Sequence, residues 1–391
     1  MIKDVKDKII MFFLFFNFIC TIYIPCLGHY IEKISIYYFI GSLFTFISVS
    51  LLNKKIVFSK FVKYICGYYL LLLIPTILNN GSLYSLVFEN GISVMSFLLW
   101  GYFDKNKVLK YLRAPAFAFE VLTYINFFIV IFFPDGLYHV STVRNYYLFD
   151  HVNVAIRYLL PGTCLILVAD YIKNKKIGLR SYFYIFCVLI TLLITKPITG
   201  LLGYLIFILS YIVMTKKLFQ KIITPFKAFC YSGIMSFLII GANIQIYFRN
   251  FIENILHKDI TFSGRIDIWN KALIYFKLHP IIGIGRVDSI KRTLMLGASS
   301  THNQFLNFLF EGGVLLLLYI FALIFVVSKR ILKCTDTKIK NIFISTMISY
   351  AFMWITEPFS YSGTFALFFI WMLMYFSSQL FNAKKDADNC E

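Results

Sequence analysis

The chain has 391 residues, of which 59% are hydrophobic and 19% aromatic, and its mean hydropathy is +0.76. That composition excludes an ordinary soluble domain. Apolar runs long enough to cross a hydrocarbon core of roughly 30 Å follow one another from residue 9 to about residue 381. Continuous runs of that length suit helices and not barrel strands, so the sequence predicts an all-α, polytopic integral membrane protein.

The formal charge is +19, from 38 Lys and Arg against 19 Asp and Glu. The basic residues form no single patch of the kind that binds nucleic acid. They recur in short clusters between apolar runs, as in a membrane protein whose cytoplasmic connections are basic. The eight cysteines are scattered singly without metal-ligand spacing, which predicts small core residues and no metal site. Heavy use of Phe, Ile, Tyr, Lys and Asn suggests an AT-rich bacterial genome.

Taken in order, the apolar runs predict about twelve transmembrane helices, at roughly 9–27, 34–52, 61–78, 84–103, 115–133, 152–172, 181–195, 198–214, 226–247, 303–327, 341–356 and 360–381. The first run is of spanning length and no small-residue cleavage site follows it, so it reads as a span and not as a signal peptide. Basic clusters at 53–63, 104–113, 173–180, 216–227 and 329–340 fall on alternate connections. That asymmetry places both termini in the cytoplasm of a multi-pass bacterial cytoplasmic membrane protein. Within the spans, Glu89, Glu120 and Arg157 are costly in lipid, which predicts that each faces the bundle interior or an ion partner. Arg144 to Asn153 forms an extracytoplasmic connection just before the sixth span.

One connection is long. Residues 1–391 are expected to form a single membrane domain in which 248–302 is an extracytoplasmic loop subdomain, and loops of such length are usually functional. Its segment from Gly264 to Phe276 predicts an amphipathic helix with Ser263 as cap and Arg265, Trp269, Ala272, Leu273 and Phe276 on one face, ending near His279-Pro280 and resting on a membrane surface. The next residues, Pro280 to Gly285, carry two glycines suited to a tight turn or a close backbone approach. Arg286, Lys291 and Arg292 follow; guanidinium groups grip phosphate oxygens in pairs, and a solvated charge run is the plainer alternative.

The stretch Ser300 to Gly313 opens the tenth span. His302 stands where a polar loop gives way to apolar sequence, and Asn303, Asn307 and Glu311 recur every four residues, so a helix carries them as one polar stripe. A glutamate there predicts a stripe facing protein or a wet cavity. Taken alone, His302 reads first as a satisfied residue capping a membrane helix.

These residues resemble the O-antigen ligase and polysaccharide polymerase superfamily. The resemblance rests on Gly264-Arg265 before the Trp269 helix, the His-Pro-x-x-Gly-x-Gly turn from His279 to Gly285, and His302-Asn303 with Glu311 and Gly313 downstream. A weaker likeness covers Arg144 to Asn153, where Val152 stands in place of a proline. The family's arginine near Thr195 is not present, and Lys196 offers a charge one position away.

The resemblance implies a metal-independent glycosyltransferase without cofactors, acting at the outer membrane face on undecaprenyl-diphosphate-linked oligosaccharide. Its partners would be the lipid bilayer, a flippase and a chain-length regulator. It implies His302 as the base and Arg265 as the leading group on the diphosphate, with Arg144, Arg157, Lys196, Arg286, Asn303 and Glu311 as substrate-binding candidates. Polymerisation of repeat units into capsular polysaccharide, exopolysaccharide or O-antigen is the first expectation. Ligation of a finished glycan to another acceptor is the second, and a lipid-linked oligosaccharide flippase or transporter is an alternative from another class.

Overall fold

A computed structural model describes residues 2–22, 34–52, 60–101, 103, 105–139, 145–216, 219, 222–241, 264–359 and 364–382. Helices dominate these segments, as the apolar runs predict. Four are long and apolar enough to cross a membrane: Lys60–Leu78, Asn106–Phe132, Val152–Asn174 and Gln304–Leu332. Six shorter apolar helices accompany them, at Ile36–Leu52, Ser85–Trp100, Leu179–Thr195, Ile198–Val213, Pro225–Gly241 and Thr364–Tyr375. Three of these, Ile36–Leu52, Pro225–Gly241 and Thr364–Tyr375, abut segments outside the described residues.

Burial follows the pattern of a lipid-facing exterior. Phe12, Leu51, Phe132, Leu179 and Phe237 are more than half exposed, whereas Asn17, Thr123, Asn126, Arg157, Asp170, Asn307 and Glu311 are buried. Apolar surface this extensive marks contact with a nonaqueous partner. The centre of the bundle is Val152–Asn174, whose most apolar window is 83% buried. Close approach around it depends on small residues: a Cβ at Gly162 would lie 2.2 Å from the Tyr184 hydroxyl, and one at Gly203 would meet Met353 at 2.4 Å.

The intramembrane charges expected to find partners do so where they are described. Glu120 accepts from both Nε and Nη2 of Arg180, at 2.9 and 2.5 Å. Arg157 faces Glu357. The side chain of Glu89 lies outside the described residues.

One departure from an all-helical chain is a small antiparallel sheet of β1 (Tyr138–His139), β2 (Asn145–Tyr147) and β3 (Asp150–His151) in that order. Tyr138 pairs with Tyr146, and Tyr146 with His151, so an aromatic ladder crosses one face of it. The sheet ends at His151, whose Nδ1 accepts from the Asn153 amide and so caps the central helix.

The long helix Gln304–Leu332 is broken at Gly313, where φ is 63° and ψ is −164°. Intact, the amides of Val314 and Leu315 would bond the carbonyls of Phe310 and Glu311. Instead those amides donate to Pro280 and Ile281 at 2.9 and 3.1 Å, and the two carbonyls accept from Ile284 and Gly285 at 2.9 and 2.8 Å. The 280–285 segment therefore supplies every partner the break removes, which is how irregular backbone is accommodated inside a membrane protein.

The glycines make this possible. A Cβ at Gly283 would sit 2.5 Å from the backbone of Glu311 and Gly312, and one at Gly285 would sit 2.3 Å from the Thr76 nitrogen. Both glycines have positive φ. The same segment is held from the other side by Asn79 Nδ2, which donates to the Gly283 carbonyl at 3.1 Å, and by the Thr76 hydroxyl, which accepts from the Arg286 amide at 2.8 Å.

Candidate functional site

The organising element of the site is the strip Trp354 to Phe359, between the helices Thr337–Met353 and Thr364–Tyr375. Trp354 anchors it from below, with ring centroids 4.7 Å from Phe229, 5.6 Å from Phe305, 5.5 Å from Phe308 and 5.9 Å from Trp371. Edge-on aromatic packing of this kind fixes orientation as well as burying area. Phe359 stacks edge-on to Tyr350 at the other end.

Three predicted site residues converge on this strip. Asn303 caps the helix Gln304–Leu332, its Oδ1 accepting from the Leu306 amide at 2.9 Å, while its Nδ2 donates to the Ile355 carbonyl at 2.7 Å. Arg265 begins the loop helix Arg265–Leu278, and its Nη1 donates to the next carbonyl along, Thr356, at 2.9 Å. Its Nη2 reaches Glu357 Oε1 at 3.2 Å. Arg157, from the central helix, approaches Glu357 Oε2 at 3.8 Å and lies 6.0 Å from the Phe359 ring centroid.

Lys196 is joined to the strip through its own turn. It ends the helix Leu179–Thr195 in a left-handed conformation and is exposed, and three residues on the Thr199 hydroxyl lies 3.0 Å from that of Thr356. His302 directly precedes the Asn303 cap, half-buried and left-handed at φ 50°. Its other neighbour, Thr301, is fixed by the Trp269 indole, which donates to the Thr301 carbonyl at 3.0 Å. The histidine is thus held between the loop helix on one side and the strip on the other. The cap itself is Asn303, not His302.

Electrostatics at the strip are those of a carboxylate between cations. Burial pushes the Glu357 carboxyl above its ordinary range, and Arg265 and Arg157 oppose that rise. Asp150, at the end of the small sheet, is likewise raised by burial, with the His151 amide and Arg157 pulling the other way. Among the described residues, no group of three or more His, Cys, Asp or Glu is placed to hold a metal ion.

Arg286 and Glu311 lie elsewhere. Arg286 is buried and pairs with Glu311, and Arg292, far from being part of a solvated charge run, is also buried and donates to Glu311 Oε1 at 3.0 Å. Asn307 Nδ2 completes the set at 3.2 Å from Oε2. The polar stripe of the helix Gln304–Leu332 therefore faces protein, as its glutamate requires: Asn303 meets the strip, and Glu311, with Asn307 beside it, meets the loop arginines. Lys291 is exposed.

The loop helix runs Arg265–Leu278 and ends at His279, with Trp269 and Ala272 buried and Lys271 and Lys277 outside. Ile274 and Leu278 are exposed at 58% and 66%, consistent with a face turned to lipid. The observed cap position is Gly264, with no side-chain cap bond. Ser263 and Arg144 lie outside the described residues.

Glu357 is the residue that reading the sequence missed. Its signal was a lone acidic residue before a proline in a very short connection between two apolar runs.

Outward apolar helices around a buried ionic site define an all-α membrane protein. A family model described as O-antigen ligase matches residues 183–321, so that part of the chain is similar to the O-antigen ligase family. The matched segment includes Lys196, Arg265, Arg286, His302, Asn303 and Glu311 but neither Arg157 nor Glu357. No curated protein and no solved structure matches the chain.

Proposed function

We propose that the protein polymerises undecaprenyl-diphosphate-linked oligosaccharide repeat units at the outer face of the cytoplasmic membrane, with about twelve spans, both termini in the cytoplasm and residues 248–302 as the outer loop. The observation that carries the reading is the convergence of Arg157, Arg265, the Lys196 turn and the His302-Asn303 corner on one buried strip. The match of residues 183–321 to the O-antigen ligase family model supports glycan transfer of the ligase and polymerase type.

In the reaction, the hydroxyl of an acceptor sugar on one lipid-linked repeat attacks the anomeric carbon of a growing chain on another. The carbon–oxygen bond to the diphosphate breaks, its electron pair leaves with undecaprenyl diphosphate, and the hydroxyl proton passes to the His302 imidazole. Arg265 and Arg157 face the charge that develops on the departing diphosphate, with Lys196 as a further cation. Guanidinium groups suit that work because they offer paired donors in a fixed plane. Fixed cations perform the electrostatic part without a metal or cofactor in this scheme.

Purified full-length protein should convert lipid-linked repeats into a ladder of longer products, and deleting the gene should leave single repeat units. Long polymer surviving deletion would overturn the reading. The description O-antigen ligase favours one second reading, transfer of a finished glycan to another acceptor. Polymer that persists while its conjugate to an acceptor disappears would establish that instead.

A further inference from the structure

Glu357 stands at the centre of the cationic cluster and takes no part in the chemistry above. It is 3% exposed, and its two oxygens are divided between two helices: Oε1 to Arg265 at 3.2 Å and Oε2 to Arg157 at 3.8 Å. The backbone that carries it is stitched on every side. The Glu357 amide donates to Met353 at 2.9 Å, Gln304 Oε1 accepts from the Phe359 amide, and Asn303 and Arg265 hold the carbonyls of Ile355 and Thr356. Pro358 follows directly and keeps Glu357 out of the helical region. Two guanidiniums from separate helices repel one another at short range. A carboxylate fixed between them is what lets both remain.

The count of charge around it is also informative. Arg157 and Arg265 face Glu357, Asp150 lies near Arg157, and Lys196 belongs to the turn bonded to Thr356. Among the described residues, two guanidiniums share the carboxylate of Glu357, so an anionic ligand can engage both without Glu357 leaving.

We infer that Glu357 is the positioning residue of this site: a rigidly mounted carboxylate that gathers the Arg157 and Arg265 guanidiniums so that a single diphosphate group engages both, without itself touching a reacting atom. The identity of that diphosphate rests on the proposed glycan-transfer reading.

Electrostatics gives the inference a sign. Removing a negative charge beside a bound anion should tighten binding if charge alone matters. Positioning requires the opposite. Binding of undecaprenyl diphosphate without sugar, and kcat and KM with lipid-linked repeats, would be measured on full-length wild type, Glu357→Gln and Glu357→Asp, with thermal unfolding confirming the fold.

The expected result is binding weakened about tenfold in Glu357→Gln, the effect of misplacing one charge-assisted hydrogen bond, a fall in kcat/KM at least as large, and partial recovery of both in Glu357→Asp. Equal or tighter binding with unchanged kcat/KM in folded Glu357→Gln overturns the inference. If Glu357→Gln does not fold, Arg157→Gln is compared with the double variant Arg157→Gln, Glu357→Gln. Losing Glu357 should add little once Arg157 is neutral, and fully additive losses overturn the inference. Wild type that binds the lipid diphosphate but elongates nothing removes the polymerase reading and leaves the binding comparison in force. Wild type that binds none of it overturns the inference as well.

Discussion

Arg286 donates through a single nitrogen to both carboxylate oxygens of Glu311, at 3.0 and 3.1 Å, and neither residue is open to solvent. The pair ties the loop to the broken helix at the level of the break. Removing one member of a buried pair leaves an uncompensated charge, at a cost of roughly 3–5 kcal/mol, and here Arg292 would lose its carboxylate partner too, keeping the Val287 and Ser299 carbonyls. Glu311→Gln should therefore lower the thermal unfolding midpoint in detergent sharply. Unchanged stability would show that the arginines find other partners.

The glycine turn makes a paired prediction. Gly264 and Gly285 share the same φ of 82°, but a Cβ has open space at the first and lies 2.3 Å from the Thr76 nitrogen at the second. Gly264→Ala should cost only the left-handed conformation, roughly 1–2 kcal/mol. Gly285→Ala should add overpacking of roughly 1–3 kcal/mol or prevent the turn from seating. Melting curves of the two variants would separate these effects, and equal losses would mean that packing at Thr76 relaxes freely.

At His302 the backbone must be respected before the chemistry is tested. Asparagine tolerates the left-handed region better than most residues, so His302→Asn should fold normally at φ 50° while removing the imidazole. Loss of a general base typically slows a reaction roughly 10²–10⁴-fold, and the glycan ladder should shorten to single repeats. A folded His302→Asn protein that still makes long polymer would exclude this histidine as the base.

Arg265 reaches a carbonyl with one nitrogen and a carboxylate with the other. Lysine cannot make both contacts from one ammonium in the same geometry. Arg265→Lys should lower kcat/KM by about tenfold or more, one charge-assisted hydrogen bond being worth roughly 1.5–3 kcal/mol. Steady-state rates with lipid-linked repeats would check it, and an unaltered rate would reduce Arg265 to a structural role.

What the sequence disclosed was what is written locally. The apolar runs became helices, the loop helix stopped at His279 ahead of Pro280, and Gly283 and Gly285 mark a close backbone approach. The stripe of Asn303, Asn307 and Glu311 had to face protein, and it does. Partner identity was hidden because it depends on which distant segments the bundle brings together. Nothing near Glu311 announces Arg286 and Arg292, and nothing near Arg157 announces a glutamate 200 positions later. The sheet at 138–151 escaped notice because strands of two or three residues carry no readable period. The helix break at Gly313 was not read from the sequence, where that glycine entered only through the resemblance.

That junction makes three segments far apart in the chain depend on one another. Gly313 lies about 13 Å along the helix from Gln304, so its orphaned backbone groups would enter the bilayer bare if the helix were inserted by itself. Their partners at 280–285 precede it in the chain, and those in turn rest on Thr76 and Asn79. The end of the helix Lys60–Leu78 is thus the seat of the 280–285 segment, and that segment in turn completes the bonds of the later helix, so a change at Thr76 or Asn79 acts on the Gly313 break without touching it.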